Sequence, residues 1–387
     1  MKKILVVHNK YRERGGEDIA VDNEINILKK RYEVEVLFFE NYIKNYFLQF
    51  IYFILNKNFK NMRLLNKKIR EFKPDLVYVH NTWFNGSVGL LRILEKYNIK
   101  TLIKLHNFRY HCTRYFLAKN HINNSKVCGA CSFKYKPYRI FNKYYENSYL
   151  RSLLVHRHGK ALFKFLCKSH FKISVLTNHH KNFLLDLGVK NENIIISPNY
   201  FEIENNLSDI DDEDYIVYAG RISKEKGVEE LINSFLDCEF KETKLKILGD
   251  GPDLKKLKAS YESEYIKFLG FQTNSATIDI IAKSKCVVTA TKLYEGQPTL
   301  LCEASLMKKP SIFPSYGGMA EFFPNDYKLK FNQGDYKDLT NKMLLTTNSD
   351  LLNKVGMENH IFIRKKINQS EYFSNLEQLI NNLKDEN

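Results

Sequence analysis

Short apolar runs alternate with amphipathic stretches twice over in this chain of 387 residues, and that rhythm admits few folds. Ile4–His8, Val34–Phe39, Leu76–Val79 and Thr101–Leu105 are too short for helices and mostly aliphatic, as strands buried on both faces must be. The segments Gly16–Lys30, Met62–Phe72 and Ser87–Tyr97 carry helical periodicity. The pattern continues with a strand at Lys172–Leu176, a helix at His179–Leu187 and a strand at Asn193–Ser197. An acidic, polar stretch from Glu202 to Asp214 reads as a linker. A second alternation then runs from Tyr215 to about Leu345, and the end of the chain reads as helices. Strand–helix alternation predicts parallel, doubly wound α/β sheets, and the length suits two domains. The expected division is a first Rossmann-like domain over 1–203, a linker over 204–214, a second Rossmann-like domain over 215–365 and a helical tail over 366–387.

Charge adds a second constraint. The net charge of +16 divides into +20 over residues 1–206 and −4 over the remainder. Residues 96–172 hold 17 basic side chains against one acid, Glu146. A block of this kind attracts phosphates, nucleic acid or an anionic membrane. The run Tyr46 to Leu55 is aromatic and apolar, is flanked by Lys44, Lys57 and Lys60, and is too short to span a bilayer. It fits either a buried helix or a helix lying in a membrane interface. Together with the charge, it sets the expectation of peripheral association with the anionic inner face of a cell membrane. No 18-residue apolar run and no signal-peptide core are found. Seven scattered cysteines argue against a disulfide framework, so the cytoplasm is the expected compartment.

Several residues could carry chemistry. Glu295 lies in the turn after the strand Cys286–Ala290, and Glu303 lies two turns into the helix Thr299–Leu306. Carboxylates at the carboxyl end of a strand can accept from the hydroxyls of a polyhydroxylated ligand, and the neighbouring helix N-terminus can face its phosphates. Arg221 and Lys226 follow Gly220 at the end of the second domain's first strand, and a guanidinium and an ammonium suit a diphosphate. Gly15 and Gly16 follow the first strand of the first domain, where tandem glycines permit close backbone approach to a ligand. His106 ends the strand Thr101–Leu105 and could hydrogen-bond a hydroxyl or relay a proton; His80 ends the preceding one. Cys112, Cys128 and Cys131, with His106, His111 and His121 nearby, fit either a structural zinc site or free thiols packed in a loop. Asp209 and Asp211 fall in the linker and read as solvated. Neither domain has a G-x-G-x-x-G fingerprint after its first strand, which argues against a dinucleotide dehydrogenase.

Four blocks occur in order: Tyr218-Ala219-Gly220-Arg221 with Lys224, Lys226 and Gly227; Leu248-Gly249-Asp250-Gly251-Pro252; Phe268-Leu269-Gly270-Phe271; and Glu295-x7-Glu303 followed by Gly317-Gly318-x-x-Glu321. Together they resemble the donor-sugar signature of retaining GT-B glycosyltransferases of the family-4 type, over most of residues 213–325. The segments His80-Asn81-Thr82 and Leu105-His106-Asn107-Phe108-Arg109 resemble a subset that builds bacterial surface polysaccharides. The resemblance implies two Rossmann-like domains facing a cleft, with a C-terminal helix crossing back to the first. It implies that Arg221 and Lys226 bind the nucleotide diphosphate, Glu303 the ribose and Glu295 the donor sugar. Backbone N–H groups of Thr299 and Leu300 would face phosphate, and the Gly15-Gly16 loop would lie between donor and acceptor. Gln297-Pro298 stand where the family usually has Phe-Gly.

The function expected on this basis is retaining transfer of a hexosyl unit from a nucleotide sugar, UDP-sugar favoured, to a growing, lipid-linked bacterial surface glycan. It would need no cofactor and no metal. A GT-B nucleotide-sugar epimerase and a non-catalytic polyanion-binding protein are the alternatives; a nucleic-acid partner is not expected.

Overall fold

The computed structural model describes residues 2–10, 16–108, 148–200 and 213–382. They form two compact units, Met1–Phe201 together with Asn368–Asn387, and Glu202–Ile367.

The first unit runs β1 (Lys3–Lys10), α1 (Gly16–Leu28), β2 (Glu33–Glu40), α2 (Tyr46–Leu55), α3 (Phe59–Phe72), β3 (Leu76–Asn81), α4 (Gly89–Lys96), β4 (Thr101–Leu105), α5 (Tyr149–Lys168), β5 (Lys172–Val175), α6 (Asn178–Asp186) and β6 (Ile194–Ile196). Its six strands pair in the order β2-β1-β3-β4-β5-β6, and every pairing is parallel. Side chains alternate across a strand, so the sheet has two apolar faces. Leu5, Val7, Val77, Val79 and Ile103 pack with α3, α4 and α5. Ile4, Val6, Leu76, Tyr78 and Leu102 pack with Val21, Ile25 and Leu28 of α1 and with Tyr372, Phe373 and Leu376. Those last three belong to the C-terminal helix Gln369–Asn382, which therefore completes the first unit's core, as the sequence resemblance implies. The helix α5 and its Ser148 N-cap, which accepts from the Arg151 N–H, were not anticipated from sequence.

A buried polar cluster ties that C-terminal helix to the sheet. The Glu24 carboxylate accepts from Tyr78 at 2.8 Å, from Tyr372 at 2.5 Å and from the Lys104 ammonium at 3.0 Å. Burial pushes both phenols well above, and the Lys104 ammonium below, their ordinary values. Removing one partner of a buried pair leaves a charge uncompensated, at a cost of about 3–5 kcal/mol. Glu24→Ala is expected to lower the urea midpoint accordingly; a loss under about 1 kcal/mol would show that the cluster carries no net stability.

The second unit contains β7 (Tyr215–Ala219), α7 (Val228–Leu236), β8 (Lys244–Leu248), α8 (Leu254–Tyr261), β9 (Ile266–Gly270), α9 (Asn274–Ala282), β10 (Cys286–Val288), α10 (Thr299–Leu306), β11 (Ser311–Pro314), β12 (Lys330–Phe331), α11 (Tyr336–Leu344) and α12 (Ser349–Lys366). Its strand order is β12-β11-β10-β7-β8-β9, again parallel throughout.

Candidate functional site

The strand order of the second unit places a crevice. From β7 the chain adds β8 and β9 on one side, then returns to lay β10 on the other side of β7. At such a switch point the loops leaving the two strands diverge, and ligands bind between them. Gly220 and Arg221 leave β7 there, and the segment that holds Glu295 leaves β10.

Local geometry then joins the two loops. Lys226 ends a single helical turn, Lys224–Lys226, that Gly227 terminates at φ 68°. A Cβ on Gly227 would lie 2.1 Å from the carbonyl oxygen of Ala290, so glycine lets this turn press on the end of β10. Across 69 positions of sequence, the Lys226 ammonium donates to Glu295 Oε1 at 2.5 Å. Thr291 donates to the same oxygen at 3.2 Å. Each side chain of the pair is 28% exposed, which leaves both open to a ligand. Glu295 is held from behind as well: its carbonyl accepts from the Gly318 N–H at 2.8 Å. Gly317, at φ 73°, keeps that backbone close. The Arg221 side chain is exposed and makes no ion pair among the described residues. Its carbonyl accepts from the Tyr218 hydroxyl at 2.9 Å, which fixes the backbone from which it projects.

Glu303, in α10, is 7% exposed. Burial pushes its carboxyl up to about 7. No group among the described residues donates a hydrogen bond to it. Buried carboxylates are ordinarily satisfied, so an unpaired one beside the crevice suits hydroxyl donors from a ligand. The helix begins after Pro298 with no side-chain cap, so the N–H groups of its first residues, Thr299 and Leu300, lack intrahelical partners. Gln297 is buried and hydrogen-bonded to the Cys302 side chain. The departure from the usual Phe-Gly therefore anchors the turn to its own helix.

The first unit has its own reversal, between β1 and β3, and three histidines stand at the carboxyl ends of its strands. His8 Nε2 lies 2.8 Å from Asp18 in the first turn of α1, the helix that Gly16 begins. His80 Nδ1 lies 3.0 Å from His106 Nε2, and the two rings stack. Desolvation, reinforced by neighbouring cations, holds both of these imidazoles well below their ordinary value. Both are therefore neutral at pH 7, and in their mutual bond one ring donates and the other accepts; with His106 Nε2–H donating to His80 Nδ1, the Nδ1 of His106 is left to accept. Asn107 donates to Glu17 at 3.2 Å, which ties the end of β4 to the start of α1. Gly15, Cys112, Cys128 and Cys131, the glycine-loop and zinc candidates, lie outside the described residues.

Sequence reasoning did not single out Thr291, His8 or the stacked pair Tyr294–Tyr316, whose ring centroids are 4.5 Å apart. A strand-end position was the available signal for His8. The tyrosine stack had none, because its rings come from separate loops.

These geometries belong to a recognisable class. The two doubly wound units are the GT-B glycosyltransferase fold: the chain superposes on Anabaena HepE in complex with UDP and glucose with a TM-score of 0.68, at 14% identity, over 99% of this chain and 100% of that one. Residues 200–359, most of the second unit, match the family model described as "Glycosyl transferases group 1". The amylovoran biosynthesis glycosyltransferase AmsD of Erwinia amylovora is 30% identical over 166 residues, 40% of this chain and 46% of that protein. The match thus spans about half the length of that relative. The alpha-monoglucosyldiacylglycerol synthase of Acholeplasma laidlawii is 23% identical over 73% of this chain and 71% of its own length.

Proposed function

We propose that the protein is a retaining hexosyltransferase of the family-4 type, moving a sugar from a nucleotide donor, UDP-sugar favoured, to a growing, lipid-linked bacterial surface glycan. The observation that carries this reading is the joining of Lys226 and Glu295 at the switch point, with the unpaired Glu303 carboxyl on the helix that follows. In the proposed reaction Lys226 and Arg221 stabilise the charge that grows on the diphosphate as the sugar leaves. The N–H groups of Thr299 and Leu300 add dipolar stabilisation. Glu303 holds the ribose hydroxyls and Glu295 the sugar hydroxyls, which fixes the anomeric carbon for attack. The departing diphosphate itself takes the acceptor's proton on the same face, so retention needs no enzymic nucleophile and no metal. Neutral His106, oriented by His80, accepts a hydrogen bond from a sugar hydroxyl.

The likeness to HepE with UDP and glucose supports a UDP-sugar, and the two curated relatives support glycan or glycolipid synthesis. A thermal-shift screen across UDP-, GDP- and ADP-sugars tests the reading. One nucleotide class is expected to raise the melting temperature by several degrees; a flat response to all three would overturn it. Epimerised nucleotide sugar formed without acceptor would move the protein to the epimerases.

A further inference from the structure

The helix α2 is built the wrong way round for a water-facing surface. Its one buried residue is polar, Gln49, while Tyr46 is 79% and Phe47 72% exposed. Leu48, Phe50, Ile54 and Leu55 are exposed with them. A soluble helix buries its apolar stripe, and exposed apolar patches of this extent mark interaction sites. The side chains nonetheless sit on a well-formed helix. Asn45 caps its start by accepting from the Leu48 N–H, and Asn56 closes it in the left-handed region. Arg157 of α5 donates to the Ile54 carbonyl, and Asn56 donates to the Arg157 carbonyl at 3.4 Å, so the helix is fastened in place with its aromatic side outward.

The surroundings are cationic. Between Glu40 and Glu71 the sequence has seven Lys and Arg and no acid, and α5 contains no acid either. Beside α2 lies a shallow pocket of about 410 Å³ lined by Tyr52, Phe59, Lys60, Arg63, Leu64 and Lys67. Neither Lys60 nor Arg63 pairs with a carboxylate among the described residues. An aromatic face next to unpaired cations matches one surface chemistry: acyl chains under a layer of phosphate headgroups. A protein partner would need an apolar patch bordered by acids; a lipid surface supplies both everywhere.

We propose that α2 and the basic pocket beside it form the docking surface for an anionic bilayer, with Tyr46, Phe47, Phe50 and Ile54 entering the interface and Lys60 and Arg63 holding lipid phosphates. This deepens the transferase reading, on which it rests for the lipid-linked acceptor, by naming the surface that brings the enzyme to it.

Flotation of the full chain tests the assignment, with vesicles of phosphatidylcholine alone and of phosphatidylcholine mixed with phosphatidylglycerol. Wild type is expected to float with the mixed vesicles and to lose binding as salt rises. Tyr46→Ser/Phe47→Ser/Phe50→Ser should lower that recovery about ten-fold or more, since apolar area drives insertion. Lys60→Gln/Arg63→Gln should remove the preference for anionic lipid. Both variants change exposed side chains, so the melting temperature and its response to UDP-sugar should match wild type. A wild type that ignores nucleotides yet floats would remove the transferase reading and leave the docking surface standing. Equal recovery of wild type from both vesicle types, or undiminished flotation of the triple variant, would overturn the proposal. A dimer in light scattering that the triple variant abolishes, without flotation of wild type, would assign the face to a second copy of the chain.

Discussion

Lys226→Ala and Glu295→Ala are each expected to lower turnover at least ~100-fold, the first by removing a charge that stabilises the leaving diphosphate and the second by removing a group that positions the donor sugar. The two side chains meet at 2.5 Å, so a purely structural reading must also be weighed. A partly exposed ion pair contributes at most about 1 kcal/mol to stability, and neither single variant should unfold the protein. The reversed pair Lys226→Glu/Glu295→Lys separates the readings. If the bridge matters only as a bridge, exchange restores activity. If the ammonium faces diphosphate and the carboxylate faces sugar hydroxyls, exchange leaves the enzyme as inactive as either single variant. Steady-state rates on the donor that the thermal-shift screen selects, with a melting curve for each variant, decide the matter. Near-wild-type turnover in either alanine variant would remove these residues from the site.

Glu303 should give nucleotide binding a pH dependence of its own. Its carboxyl is pushed up to about 7 by burial, from a usual value near 4.5. A raised acid favours the protonated form in the native state. Its contribution to stability is therefore greatest below the unfolded value and declines as pH rises through 7. The shift corresponds to an upper bound of about 3 kcal/mol. Glu303→Gln keeps the shape and removes the ionisation, so the variant should gain stability over wild type at pH 8 and lose that gain by pH 5. Ligand binding runs the other way. Ribose hydroxyls that donate to the carboxylate favour its ionised form, so binding expels a proton. Affinity should then climb up to about ten-fold per unit as pH rises toward 7, while the glutamine variant binds weakly with a flat profile. Calorimetry in two buffers of different ionisation enthalpy measures the proton directly. No proton release by wild type at pH 6.5 would sink the ribose assignment.

How much of this was readable beforehand differs between the two levels of structure. The helix Thr299–Leu306 and the strand Thr101–Leu105 match their sequence-based bounds, because periodicity and turn residues are local. The strand β1 extends to Lys10 and β3 to Asn81, beyond their apolar runs, because ladder bonds to neighbours continue where hydrophobicity stops. The segment Tyr46 to Leu55 was legible as a helix of unusual composition but not as buried or exposed. Apolar residues on all sides leave no polar face to orient it, and only the packing of Gln49 and the tie to Arg157 settle its outward side.

Sequence by itself determined the class of fold and the identity of the residues at the second unit's strand ends. Both follow from short-range pattern: apolar runs sized for buried strands, turns with glycine, and acids placed after a strand. Tertiary structure alone decided which of them meet. Lys226 finds Glu295 because β10 crosses back beside β7. Glu24 meets Tyr372 because the C-terminal helix returns to the first sheet across 348 positions. Parallel strand order is set by long-range packing, and no local propensity encodes which strand becomes whose neighbour.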